Sequence, residues 1–355
     1  MVCGRWGVFL ERVVVVMSDG RSSSQAGGHH LFPATPPEPV EGARVCAYCG
    51  TSFDLRYAFQ QVALRSEERF VCSRACRQGL LDGVQRTSAS GKVPCRIAVL
   101  NQKGGTGKTT TAVNLAAGLA DAGHRVLLVD MDAQGHVGIS LGVRGARTIY
   151  DLLVEGAPLD QCVVPVSDSL HLVTSNATLA SAEIYLARKE DRRHLLLRDK
   201  LAAATEYDFV LLDCGPSLSL LNLNALSFAD YLLVPVSCDF LAMVGVRQVM
   251  KTLNHVNRML LHPVQLMGVL PTFYDQRNRI SDESVKSLRS HFKDKVLHPI
   301  RINTRLKEAP SYRQSIFEYS PQSRGAEDYR RLVRWVQQFA SQQAQGVQHG
   351  QVSAL

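Results

Sequence analysis

The chain has 355 residues, of which 45% are apolar, with 40 Lys+Arg against 32 Asp+Glu for a formal charge of +8. That length and apolar content supply about two domains with a real core, which excludes a wholly disordered, fibrous or mini-protein chain. The charge is localised: residues 241–340 hold 17 Lys+Arg and 8 Asp+Glu, so the remainder is close to neutral and the basic character belongs to the C-terminal third.

Residues 1–43 are expected to be disordered. Residues 6–16 are apolar but are broken by Glu11 and Arg12 and lack a small-residue cleavage site, which argues against a signal peptide. Met17 is an alternative start to Met1 and opens a Ser-, Gly- and Pro-rich tract with the composition of a tether. No run approaches the roughly 18 apolar residues of a membrane span. The expected location is cytoplasmic, and five of the nine cysteines (Cys3, Cys95, Cys162, Cys214, Cys238) stand singly, as in a chain without disulfides.

A compact module follows at residues 44–83. Cys46-x2-Cys49 and Cys72-x3-Cys76 form two pairs separated by 22 residues, the arrangement that tetrahedral Zn²⁺ requires. The first pair sits in a knuckle (VCAYCG) and the second opens a helical stretch (FVCSRACRQGLL), a pattern that resembles a TRASH-like or treble-clef zinc finger. A segment of about 40 residues cannot bury a sufficient core alone, so a structural metal would supply its folding energy. With six Arg against four acids the module is too evenly charged to read as a DNA binder. It reads better as a protein-docking adaptor. Residues 84–95 form a polar linker.

From residue 96 to 342, short apolar runs alternate with helical patterns. The runs are IAVL at 97–100, VLLVD at 126–130, LHLVT at 170–174, FVLLD at 209–213, YLLVP at 231–235 and VQLMGVL at 264–270. Nearly continuous apolar runs of this length fit strands buried on both faces, and residues 109–122, 244–261 and 281–292 have helical spacing. The expected fold is a three-layer α/β domain with a mainly parallel sheet, followed by a disordered tail at 343–355.

The strand at 97–100 runs into NQKGGTGKTT and then a helix. Glycines at 104, 105 and 107 let backbone N–H groups curl around phosphate oxygens, and the helix N-terminus adds partial positive charge. Lys108 would reach the β and γ phosphates of a nucleotide, with the Thr109 hydroxyl on Mg²⁺. The usual loop has Gly where Gln102 stands, and what remains is KGGTGKTT with an extra lysine, Lys103.

That loop resembles the deviant Walker A motif of the ParA/MinD family of P-loop ATPases. The likeness continues through LLVDMDAQG (128–135... residues of the switch), DFVLLDCGPSL, NALSFADYLLVPV, NTRLKEAPS and SRGAEDY. The last two place it with the ParA/Soj-like chromosome- and plasmid-partitioning branch. The resemblance implies ATP and Mg²⁺ as cofactors, with Lys103, Gly104, Gly105, Thr106, Gly107, Lys108, Thr109 and Thr110 around the phosphates. It further implies that Lys103 crosses a nucleotide-sandwich homodimer, that Asp213 joins Thr109 in holding Mg²⁺, and that Asp132 positions the attacking water. Asn303 matches an adenine contact, although the proline usually two residues earlier is Arg301 here.

Members of the family bind DNA without sequence preference once ATP has paired them, and the basic third suits that role. Arg277 aligns with a DNA contact, with Arg279 adjacent, and Arg258 stands one turn beyond the position of a second contact now held by Asn254. The implied function is an ATPase that segregates or positions DNA or another cargo on the nucleoid, with hydrolysis stimulated by a ParB-like or other activator acting in part through the N-terminal module. Two alternatives stand beside it: a transcriptional regulator controlled by ATP-dependent dimerisation, and a MinD-like positioning ATPase. Against the latter, residues 341–355 carry neither Lys/Arg nor aromatic anchors for a membrane.

Overall fold

The computed structural model describes residues 44–47, 52–55, 60–64, 67–73, 76–77, 94–188, 193–202, 204–217, 219–239, 242–259 and 263–352. The expected disordered segment 1–43, Cys49 and nearly all of the 84–95 linker lie outside them. In the cysteine module, β1 (Arg44–Val45) pairs antiparallel with β2 (Ser52–Phe53), and β3 (Gln61–Leu64) with β4 (Glu67–Phe70).

The large sheet contains β5 (Cys95–Val99), β6 (Val126–Met131), β7 (Val163–Pro165), β8 (Leu170–Val173), β9 (Phe209–Cys214), β10 (Tyr231–Ser237) and β11 (Gln265–Thr272). Its order is β11-β10-β5-β9-β6-β8-β7, parallel throughout except for β7 against β8. All six expected strands are present. The additional β7 is a three-residue edge strand containing Pro165, too short to show a period and tolerant of a missing N–H only at an edge.

Every residue of β6 and of β9 is buried, which demands cover on both faces. The alternation along β6 shows how it is supplied, since Leu127 and Val129 enter one core while Val126 and Leu128 enter the other. Helices α1 (Lys108–Asp121) and α8 (Arg324–Val352) cover the second core. On the other face lie α3 (Leu179–Arg188), α4 (Leu220–Phe228), α5 (Ala242–Met259) and Leu288 of α6 (Arg279–Phe292). Two short helices, α2 (His136–Leu141) and α7 (Thr304–Glu308), border the loops at the C-terminal ends of the strands.

One expectation is corrected. The supposed tail from 343 is helical, because α8 continues to Val352. Its apolar stripe ends near Phe339, but Gln and Ala are good helix formers and extend the ladder without a packing partner. Loss of the stripe had been read as loss of the helix.

The contact between α1 and its cover is close. A Cβ on Gly118 would lie 2.6 Å from Val333 Cγ2 and 2.8 Å from Phe317 Cε2. Gly118→Val should therefore lower stability by about 1–3 kcal/mol through overpacking, read as a lower urea midpoint at unchanged slope. A midpoint equal to that of the parent chain would show that α8 yields freely.

Candidate active site

The loop after β5 is framed before any ligand is considered. Asn101 is fully buried, with its amide donating to Pro235 O (2.7 Å) and its oxygen accepting from Lys103 N (3.0 Å). Gln102, at the position where glycine is usual, donates to Thr252 Oγ1 (2.7 Å), which ties the loop to α5. Gly105 and Gly107 have φ of 70° and 82°, in the left-handed region that side chains disfavour. A Cβ on Gly104 or Gly105 would meet nothing within 4 Å, so this stretch of loop faces open space. The first turn of α1 has no side-chain cap and no acid. Its N–H groups are left to an anion.

Beneath the loop lies a concentration of buried charge. Asp213 is 1% exposed; Thr109 donates to its Oδ2 (2.7 Å), while Oδ1 has no partner. In register beside it on β6 is Asp130, also buried. Burial pushes both carboxyls above the usual range, and for Asp130 the neighbouring Asp213 adds to the effect. Lys108 is pushed the other way by burial, with Asp213 and Asp132 pulling it back. A cluster of oxygen donors with one orphaned carboxylate oxygen fits a hard divalent cation such as Mg²⁺.

Asp130 also builds the turn that carries Asp132. Its two oxygens accept from Asp132 N (3.0 Å) and Val137 N (3.1 Å), and Asp132 in turn accepts from Gln134 N (3.0 Å). Asp132 and Gly215 share a chamber of about 170 Å³ with Pro216 and Ser217, which has room for water.

Lys103 is paired within its own chain. Its ammonium lies 2.5 Å from Asp239 Oδ2 and 3.4 Å from Ser237 Oγ. On the base side, Gly107, Thr110, Phe273, Ile302, Asn303 and Tyr329 help to line a pocket of about 320 Å³. Asn303 spends its oxygen on Arg305 N (2.8 Å) as the N-cap of α7, leaving its amide N–H groups for a ligand. Arg301, in place of the usual proline, donates through Nε (2.9 Å) and Nη2 (2.7 Å) to the carboxylate of Asp328, whose side chain is wholly buried. Next along α8, Tyr329 OH contacts Thr111 Oγ1 at 3.3 Å. The base pocket is thus clamped to α8 and to the phosphate helix.

The remaining expected residues lie apart from this site. Arg277 and Arg279 are about nine-tenths exposed and engage Asp275 and Glu283, and Arg258 is exposed in the last turn of α5. In the cysteine module, the Sγ atoms of Cys46, Cys72 and Cys76 all lie within 4.8 Å of one another, with Cys72 and Cys76 3.5 Å apart. That exceeds a disulfide bond and brackets the roughly 3.8 Å between sulfurs on a tetrahedral zinc. The fourth expected ligand, Cys49, is outside the described residues.

Asp239 and Asp328 were missed in the sequence. Asp239 follows the apolar run of β10, the same signal that marked Asp213, whereas nothing local distinguishes Asp328 from a surface acid on a helix.

Comparison with known proteins agrees with this geometry. A family model described as an AAA domain matches residues 95–266. The chromosome-partitioning ATPase Soj of Thermus thermophilus is 46% identical over 242 residues, 68% of this chain and 94% of that protein. The chromosome partitioning protein ParA of Caulobacter vibrioides is 40% identical over 252 residues, again 68% and 94%. Among solved structures, cobyrinic acid a,c-diamide synthase from Mycobacterium smegmatis with bound ADP and magnesium superposes with a TM-score of 0.60 at 31% identity, covering 73% of this chain and 97% of that one. No helix of the described residues is long and apolar enough to cross a membrane.

The buried carboxyls make a pH prediction for the metal-free protein. Because the folded state holds the Asp213 proton more tightly than the unfolded state, its contribution is present below the ordinary value of 3.8 and is lost as pH rises through the raised folded value. Urea midpoints measured in EDTA should fall across that window, and Asp213→Asn should flatten the fall. Parallel profiles for the two proteins would show that Asp213 carries no such penalty.

Proposed function

The chain belongs to the ParA/Soj family and is a Mg²⁺-dependent P-loop ATP hydrolase, and from that premise we propose that it is an ATP-driven positioning switch for DNA or another cargo. ATP closes two copies into a dimer, the dimer coats nucleoid DNA in the cytoplasm, and a cargo-bound activator triggers hydrolysis and release. The observation that carries this reading is the orphaned Asp213 oxygen beside Thr109, beneath a glycine loop that faces open space.

In this reading residues 104–110 wrap the phosphates with backbone N–H groups, and Lys108 regains in their charge what burial costs it. Thr109 and Asp213 hold Mg²⁺, which neutralises charge across the β and γ phosphates. Asp132 orients a water in the chamber it shares with Gly215, toward the γ-phosphate. Asn303 contacts the base from a pocket stiffened by Arg301 and Asp328. Lys103 leaves Asp239 for the partner's phosphates when the dimer closes; an exposed pair of this kind is worth at most about 1 kcal/mol, so the exchange is inexpensive. Arg277, Arg279 and Arg258 contact DNA phosphates. The zinc module, with Cys46, Cys49, Cys72 and Cys76 as ligands, docks a partner protein.

Lys108→Ala should abolish ATP binding. Asp132→Ala should retain ATP and trap a DNA-bound dimer, with turnover reduced on the order of 100-fold or more. Arg277→Glu should weaken DNA binding and flatten its salt dependence while nucleotide affinity is kept. DNA affinity indifferent both to ATP and to Arg277→Glu would falsify the switch.

For the module, metal analysis of purified protein should return one zinc per chain. Cys72→Ser should remove it and expose residues 44–83 to protease while basal ATP turnover persists. Retention of a full zinc equivalent by Cys72→Ser would exclude this ligand set.

A further inference from the structure

A cleft of about 920 Å³ lies on the far side of the Asp132 turn from the nucleotide site. Residues 133–135, part of α2, the loop at 142–148 and the turn at 174–177 wall it, with Arg313 at its edge. Glycines bring the backbone of these segments together. A Cβ would fall 2.7 Å from Ser175 O at Gly135, 2.8 Å from Val143 O at Gly138 and 2.5 Å from Arg147 O at Gly145. The walls therefore present mostly main chain and short polar groups.

Three features point to an occupant. The hydroxyls of Thr174 and Ser175, on residues 3% and 9% exposed, have no hydrogen-bond partner. No acid lines the cleft, although the Arg144 and Arg313 side chains do, and neither guanidinium has an acidic partner among the described residues. Arg313 also has φ of 58°, in the left-handed region, a strain that persists in proteins mainly where function requires a side chain to be held in place. Water would satisfy the hydroxyls, but it accounts neither for two cations without a counter-charge nor for the strained arginine.

We propose that this cleft is a second ligand site, for a molecule bearing an oxyanion, phosphate or carboxylate, and that its occupancy bears on the turn carrying Asp132. Guanidinia supply charge-assisted donors, and the two hydroxyls complete the shell of the same anion. The link to the turn is direct, since Ala133 lines both this cleft and the small chamber that contains Asp132. The coupling rests on the water-positioning role proposed for Asp132; the binding does not.

The test uses the full chain saturated with Mg-ADP, so that the phosphate loop is filled. Inorganic pyrophosphate and a peptide of eight glutamates are titrated by calorimetry. At least one should bind, and Arg144→Glu combined with Arg313→Glu should weaken it tenfold or more, with Thr174→Val weakening it severalfold. Unchanged Mg-ADP affinity shows that the variants are folded. Binding of pyrophosphate alone assigns the site to a free phosphorylated ligand, and binding of the peptide alone to an acidic protein segment. Equal binding by the double arginine variant, or no binding of either probe to the parent chain, overturns the site. The bound probe should also shift ATP turnover of the parent chain and not of the double arginine variant; saturation without a shift overturns the coupling. Asp132→Ala should bind the probe like the parent chain, which separates failure of the site from failure of the catalytic assignment.

Discussion

Burying Asp213 at the end of a central strand is the constraint around which the rest of this molecule is arranged. A carboxylate without water is costly, and Asp130 in the adjacent register position makes ionisation of both harder. In the free protein, Thr109 satisfies one Asp213 oxygen and the other is left bare. The free state therefore holds strain that a cation and a triphosphate relieve together, and binding energy is available at the point where the chemistry occurs.

Every structure near the phosphate loop bears on that point. The sheet order places β5 between β10 and β9, so the loop following β5 has Asp213 on one flank and the Ser237–Asp239 bend on the other. Thr272 donates to Thr106 O, holding the loop from β11. Asp130, which neither touches Thr109 nor is placed to meet a phosphate, holds the backbone of the Asp132 turn through two N–H bonds. Charge at the strand ends thus does two tasks: one carboxylate waits for metal and its neighbour shapes the moving part.

How much of this was legible in the sequence depended on whether the signal was local. The six principal strands were readable because burial on both faces removes every polar residue from a run, and the phosphate loop because glycine, lysine and hydroxyl positions follow from one ligand's shape. The β7 edge and the far end of α8 were not, since a three-residue strand has no period and a solvated helix needs no stripe. The pairing of Arg301 with Asp328 joins positions 27 apart through tertiary packing, and the turn of α8 looks there like an ordinary charged surface. Lys103 was recognised as a special lysine, but its own-chain partner Asp239 emerged only from the fold.

The state of the basic third bears on how a switch could work there. Arg277 and Arg279 are exposed but each is already joined to an acid of its own chain. Surface pairs of this kind are worth about 0–1 kcal/mol, so a phosphate can displace the acid, though the gain per arginine is small once that exchange is counted. A single subunit with a few such contacts would hold DNA weakly at physiological salt. Two subunits fixed together present the same contacts twice in one rigid array, and the second set binds at high effective concentration. Paired arginines are in this sense better suited to a switch than free ones: they keep the lone subunit off DNA without preventing the dimer from gripping it.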